Sequence, residues 1–207
     1  MLPPATRHVY LASRSARRRE LLKQIGVSFE ILLLREGHGR PADFDETPLP
    51  GEAPVDYVQR VALAKVEAGW SRLTQRRLLR FPVLSADTTV EVDGEILGKP
   101  ADREQAISFL KLLSGKSHQV HTAVAVKFDQ QVEVAVSSTV VEFRPLTDAE
   151  MRQYVASGEP VDKAGGYAIQ GRGAVFIRSI SGSYTGVVGL PLFETNQLLA
   201  RLGQPTV

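Results

Sequence analysis

Two long strand-like runs parted by a short break constrain this chain more than any other feature. Residues 120–127 (VHTAVAVK) and 132–143 (VEVAVSSTVVEF) are rich in β-branched residues, and only Phe128–Gln131 separates them. A break that short joins antiparallel neighbours, because a parallel return needs a crossover of about a dozen residues or more. The segment TTVEVDGEIL adds a second hairpin, turning at Asp93-Gly94. Elsewhere helix and strand patterns alternate. The chain therefore reads as α/β with a mixed sheet, not as a purely parallel doubly wound one.

The remaining elements follow from periodicity and punctuation. HVYLAS (8–13) is a strand. SARRRELLKQIG (15–26) is a helix capped by Ser15, striped by Leu21, Leu22 and Ile25, and stopped at Gly26. Residues 27–34 form another strand. Residues 35–54 are rich in Gly, Pro and acid and read as a long functional loop. A helix over 55–74 shows one apolar face, Val58, Val61, Ala62 and Val66. FPVLSAD reads as a buried strand that ends at Asp87. Helices follow over 102–115, with Asp102 and Gln105 at the start, and over 147–158, with a capping box from Thr147 to Glu150. A Gly-rich stretch (163–174) leads into a strand at 175–180, and a last helix runs from Pro191 to Gly203. The total is about five helices and seven or more strands.

Composition narrows function. The 25 Lys+Arg and 23 Asp+Glu leave a net charge of +2, so no broad basic surplus marks a nucleic-acid binder. No Cys is present, which removes disulfides, thiol nucleophiles and Cys-ligated zinc. No stretch approaches the roughly 18 apolar residues of a membrane span, and the first residues lack an apolar signal-peptide run. The cytoplasm is the expected compartment. GKS at 115–117 is no phosphate loop, since Leu110 stands where its first Gly belongs. GRG at 171–173 has Phe176 where a dinucleotide fingerprint needs Gly. His118 and His121, three apart on a strand, face opposite ways and make a poor metal pair, so they read as ordinary surface or interface histidines.

Six segments carry chemistry. LASRSARRRELL puts Ser13 between a strand and a helix N-terminus, with Arg17 and Arg18 on the first turn, a site suited to an anion. ADFDETPLPGE gathers Asp43, Asp45 and Glu46 on the long loop. SADT places Asp87 and Thr88 at the end of a buried strand, where α/β sheets put their sites. LGKP holds Lys99 between Gly98 and Pro100. Lys65 stands in the apolar stripe of its helix, where it must snorkel or meet an anion. GEPVDKAGGYAIQG offers close backbone approach with Asp162, Lys163 and Gln170 as polar groups. Several cations, a few carboxylates and no nucleophile triad fit metal-assisted chemistry on a polyphosphate.

In this order the segments resemble the Maf family of nucleoside triphosphate pyrophosphatases, from about Val9 to Leu202. LASRSARRRELL is similar to the family's opening L-A-S-x-S-P-R-R-x-E-L-L, and YVQRVALAKVEAG to its Y-x-x-R-L-A-x-x-K-A helix. SADTTVEVDGEILGKP, LSGKSHQVHTAVAV, GEPVDKAGGYAIQGRGAVFI and GSYTGVVGLPLFET resemble four further blocks. The resemblance implies a single domain over 1–207. Its fold would be an elongated mixed sheet with flanking helices and two lobes around a cleft, like the inosine triphosphatase group. It implies hydrolysis between the α and β phosphates with a divalent metal, Mg²⁺ or Mn²⁺. Gln170, with Arg17 and Lys99, looks like the subgroup acting on dTTP and UTP.

By position, Ser13, Arg17 and Lys65 match phosphate-side residues, with Arg18 and Thr88 beside the same site. Glu46 matches the loop acid and Asp87 the proposed base, both being metal ligands. Lys99 matches a catalytic position and Gln170 the base-choosing one. Ala16 stands where the family has Pro, and the loop around Gly37–Asp43 is longer than in many members, so Asp45 stays a neighbouring candidate for the loop ligand. A homodimer is the assembly the resemblance implies. A second reading from another class is a non-catalytic nucleotide- or nucleic-acid-binding module linked to cell division. That module would need the cations but neither Asp87 nor Glu46.

Overall fold

A computed structural model describes residues 8–35 and 42–203. Seven strands form one mixed sheet, in the order β2-β1-β3-β5-β6-β7, with β4 paired to β3 alone. β1 (His8–Leu11), β2 (Ser28–Ile31) and β3 (Val83–Val92) run parallel. β4 (Glu95–Leu97), β5 (Ser117–Phe128), β6 (Gln131–Phe143) and β7 (Ile177–Ser181) pair antiparallel with their neighbours. The β5–β6 hairpin turns where expected, with Phe128 opposite Gln131. Asp93 and Gly94 both take positive φ, 53° and 83°, as the tight β3–β4 turn requires.

Helices cover both faces of the sheet. α1 (Ala16–Gln24) is capped by Ser15, whose side chain accepts from the Arg18 N–H. α2 (Pro54–Gln75) lies on one face and packs Val58, Ala62 and Val66 against Tyr10, Val83, Ala123 and Ala125, with Val61 also buried. α3 (Arg103–Leu113) starts at the Asp102 cap, and α4 (Asp148–Ala156) at the Thr147–Glu150 capping box. Two expectations change. Residues 172–176 wind into a 3-10 turn, so β7 starts at Ile177 rather than at 175. A further short helix, α5 (Tyr184–Val188), precedes α6 (Leu192–Arg201), giving six α-helices among the described residues. None of these helices is long and apolar enough to cross a membrane.

The other face holds two separate cores. Leu84, Ala86, Val124 and Val126 pack with Leu22, Leu198 and Leu199. Val90, Val92 and Val120 pack with Leu110, Phe143 and Tyr167. Alternation places Thr88 between these two sets on β3, and Thr122 is its register partner on β5. Thr122 Oγ1 donates to the Gly186 carbonyl (2.8 Å) and lies within hydrogen-bond distance of Thr88 Oγ1 (3.0 Å). This paired polar break divides the apolar layer into two lobes and marks the cleft between them.

The histidines are not at the surface. His118 and His121 do face opposite ways, but both are buried. His118 Nε2 lies 2.8 Å from the Tyr167 hydroxyl, its ring set edge-on to Phe143. His121 is bracketed by Ser138 and Glu91, each at 2.8 Å. Aromatic packing on one face and a carboxylate on the other make interior positions tolerable for both.

Candidate active site

β3 is longer than its neighbours on one side. β1 pairs with it only at Val83 and Leu84, and β4 only from Val90 onward. Residues 85–89 therefore have no strand partner on that edge among the described residues, and a cavity of about 470 Å³ opens there. Asp87 was expected at a strand terminus. It lies in mid-strand, and the neighbouring strand is what ends. The topology reaches the same outcome by another route, because the gap exposes both faces of β3 at once. Thr88 looks into the cleft from one face and Asp87 from the other.

Asp87 meets α2. Lys65 Nζ donates to Asp87 Oδ1 at 2.7 Å and pairs with Glu46 Oε1 at 2.5 Å. The Lys65 and Asp87 side chains are 11% and 13% exposed, whereas Glu46 is 42% exposed and opens toward the cavity. An ammonium so buried needs anionic partners, and this one has two. The Phe44 ring, 5.2 Å from Lys65 Nζ, covers it from the loop side. Burial alone would push the Glu46 carboxyl up. Lys65, by charge and hydrogen bond, then Lys99 and Arg18, outweigh burial and hold it below its ordinary value.

The loop carrying Glu46 is tied to α2 by Tyr57 and Arg60, the Tyr and Arg of the Y-x-x-R pattern, neither of which was expected at the site. Arg60 grips the Glu52 carboxylate with two nitrogens, at 2.5 and 2.7 Å. It also donates to the Thr47 carbonyl (2.9 Å) and the Asp45 carbonyl (3.4 Å). The Tyr57 hydroxyl donates to the Glu46 carbonyl (3.0 Å). Asp45 turns away, its carboxylate accepting from the Thr47 N–H (2.8 Å). The structure thus brings Glu46, not Asp45, to Lys65. The loop insertion noted at 37–43 lies mostly outside the described residues. Tyr57 and Arg60 sit three and six residues into α2, and that i, i+3 pair beside an acidic loop was the available signal.

The two adjacent arginines differ. Arg18 donates to the Gly189 carbonyl (2.7 Å), to Ser13 Oγ (3.1 Å) and to Thr88 Oγ1 (3.3 Å), so it fastens α1, β3 and the turn after α5 together. Among the described residues the Arg17 side chain donates only from Nε, to the Val188 carbonyl (3.3 Å), and both arginines line the cavity. Burial lowers the pKa of each guanidinium, an effect that Asp162 opposes at Arg17 and Asp87 opposes at Arg18. Ser13, Lys99 and Gln170 also line the cavity, with Lys99 and Gln170 exposed. Lys99 is held in place because the Gly98 carbonyl accepts from the Gly165 N–H (3.0 Å). Gly165 takes φ +66°, and a Cβ there would lie 2.7 Å from Val90, so only glycine lets this segment close on the sheet.

All nine residues expected at the site, Ser13, Arg17, Arg18, Glu46, Lys65, Asp87, Thr88, Lys99 and Gln170, line this one cavity. Its chemistry is a carboxylate pair on an ammonium, ringed by cations, with an apolar wall of Val187, Val188, Ile169 and Ala168.

Comparison with known proteins identifies the family of the chain. A family model described as Maf-like protein matches residues 8–202. A protein of Nitrosomonas europaea named dTTP/UTP pyrophosphatase is 60% identical over 203 residues, covering 98% of each chain. One of Aromatoleum aromaticum with the same name is 56% identical over 205 residues, covering 99% of this chain and all of that one. Among solved structures, the Ham1 protein of Staphylococcus aureus aligns with 66% of this chain and 71% of its own, at 18% identity and a TM-score of 0.45, too slight a likeness to carry an argument. The match across nearly the whole sequence is decisive: the chain belongs to the Maf family.

Proposed function

We propose that this protein is a nucleotide pyrophosphatase that hydrolyses dTTP and UTP to the monophosphate and pyrophosphate. One observation carries the chemistry: Glu46 and Asp87 converge on Lys65 at the floor of a cavity ringed by further cations. The names of the relatives support the choice of substrate.

The two carboxylates fit a hard divalent cation, Mg²⁺ or Mn²⁺. Both are oxygen donors, and both already face one cationic point. Among the described residues no group of three or more His, Cys, Asp or Glu forms a metal cage. Substrate phosphate oxygens would complete the shell, as is usual for Mg²⁺. When bound, the ion would neutralise charge on the triphosphate and polarise the group under attack.

The chain's own residues do the rest. Arg17 and Lys99 take the β and γ phosphate oxygens, with Ser13 and the N–H groups opening α1 beside them. Arg18 adds charge while holding Ser13 and Thr88 in place. Asp87 Oδ1 is engaged by Lys65, so Oδ2 is the atom that orients a water and takes its proton. That water attacks the α-phosphorus in line, and the bridging oxygen leaves with pyrophosphate. Lys65 holds the two carboxylates close together and keeps the Glu46 carboxyl ionised. Gln170, with a donor and an acceptor, reads the pyrimidine edge. The same reading takes the protein to be one unit over 1–207, cytoplasmic, homodimeric and without a nucleic-acid partner.

The test is a nucleotide panel of dTTP, UTP, CTP, dATP, GTP and 7-methyl-GTP, with Mg²⁺ and with chelator, resolved by ion exchange. Monophosphate plus pyrophosphate from dTTP and UTP, lost with chelator, is the expected result. Diphosphate plus phosphate would overturn the bond assignment. No turnover from folded, metal-supplied protein would favour the non-catalytic binding module.

A further inference from the structure

Gln170 is borne on an irregular turn, not on a strand or a helix, yet reading a base edge demands a fixed amide. Residues 168–173 obtain that fixity from the end of α4 and the turn after it. The Tyr154 hydroxyl accepts from the Ala168 N–H (3.1 Å) and donates to Glu159 Oε1 (2.9 Å). Glu159 then accepts from the Gly173 N–H (3.0 Å) and, through Oε2, from the Arg172 N–H (2.9 Å). The turn is thus gripped two residues before Gln170 and again two and three residues after it. Space is equally tight. A Cβ on Gly171 would lie 2.5 Å from the Glu159 carboxylate, and one on Gly173 would lie 2.9 Å from the Tyr154 hydroxyl. The Tyr154 ring is buried against Phe176, which anchors the grip to the core. Gln170 itself makes no hydrogen bond to the described residues, so backbone position alone aims its amide.

We propose that Tyr154 and Glu159 are positioning residues for base selection, holding the turn so that Gln170 meets the pyrimidine edge. This rests on the base-reading role given to Gln170 above. Neither residue lines the cavity, so neither touches the nucleotide. Their loss acts on discrimination and leaves the Lys65–Asp87 machinery intact.

UTP and CTP differ only where an amide would read, so they form the test pair. Tyr154→Phe keeps the ring and removes the hydroxyl. Glu159→Gln keeps the volume and sets an amide N–H donor against one of the two N–H groups. Steady-state kinetics of these variants and Gln170→Ala would be measured on both nucleotides, below the unfolding temperature of each protein. A shifted positioning group costs up to about 10²-fold. The Tyr154 and Glu159 variants are both expected to lower the UTP:CTP ratio of kcat/KM about tenfold, chiefly by raising KM for UTP, with kcat on CTP within about twofold of the parent. Equal losses on both nucleotides, or an unchanged ratio, would overturn the proposal. If Gln170→Ala lowers the ratio while the Tyr154 and Glu159 variants preserve it, the grip fails and the base reader stands. If Gln170→Ala leaves the ratio unchanged, both fail.

Discussion

The two walls of the cleft are made by different means. On one, Asp87 and Lys65 project from the middle of a buried strand and from a 22-residue helix packed on it. Their Cα positions are fixed by sheet hydrogen bonds and by the apolar stripe of α2. On the other, Lys99 and Gln170 ride on segments without regular structure, held by single contacts such as Gly165 to Gly98 and by side chains reaching from α4 and the turn after it. A reacting centre tolerates little displacement, and strands and helices provide that rigidity. Recognition surfaces vary more freely on turns pinned from behind. On the proposed function, the first wall carries the water-activating groups, and the second carries Gln170 for base choice and Lys99 for phosphate.

The sharpest way to break this division is Asp87→Asn. It should lower kcat on dTTP by about 10²–10⁴, the range for a lost general base, with the UTP:CTP preference unchanged. Steady-state kinetics decide it, and near-normal kcat would remove Asp87 from the mechanism. Next comes Lys65→Met, expected to lower kcat on the order of 10²–10³. It should also move the acid limb of the pH–rate profile upward. Lys65 is the chief influence lowering the Glu46 pKa, so its loss lets Glu46 take up a proton at higher pH. In the native protein the sign runs the same way. Glu46 adds stability above its unfolded value near 4.5, and that stability is lost as pH falls through its lower folded value.

Arg60→Ala tests whether the loop acid belongs with the rigid wall. Removing a residue that orients a metal ligand costs about 10–100-fold in metal affinity or activity. The expected result is a rightward shift of the Mg²⁺ activation curve by that factor. An unchanged curve would detach Glu46 from metal binding.

The smallest effect lies under the second wall. Burial lowers the His118 pKa from 6.5 to about 4, so the ring is neutral in the native state. The unfolded chain binds that proton first as pH falls. Stability is fully present above about 6.5 and declines toward pH 4, by roughly 3 kcal/mol at most. Thermal unfolding between pH 7 and 5 should show this decline in the native protein and a flatter one in His118→Phe. Parallel curves would contradict it.

How legible this was in the sequence depended on distance along the chain. Lys65 announced itself, since a cation inside an apolar stripe needs a partner. The caps at Ser15, Asp102 and Thr147 were local and readable. The placing of Asp87 in mid-strand was not, because Thr88 and Thr89 suit a hairpin's first strand as well as a continuing one. What opens the site is where β1 and β4 stop along β3, and that is set by pairing between distant segments. The grips of Arg60 on Glu52 and of Glu159 on the 172–173 turn span 8 and 13 to 14 residues, beyond any periodic pattern. Burial of His118 and His121 likewise depends on partners elsewhere, Tyr167 and Glu91.

The central claim is that a water aligned by Asp87 attacks the α-phosphorus. One turnover of dTTP in ¹⁸O-labelled water, with both products examined by mass spectrometry, tests it directly. The account predicts the label in the monophosphate, with none in the pyrophosphate. Label in the pyrophosphate would place the attack on the β-phosphorus and contradict the account.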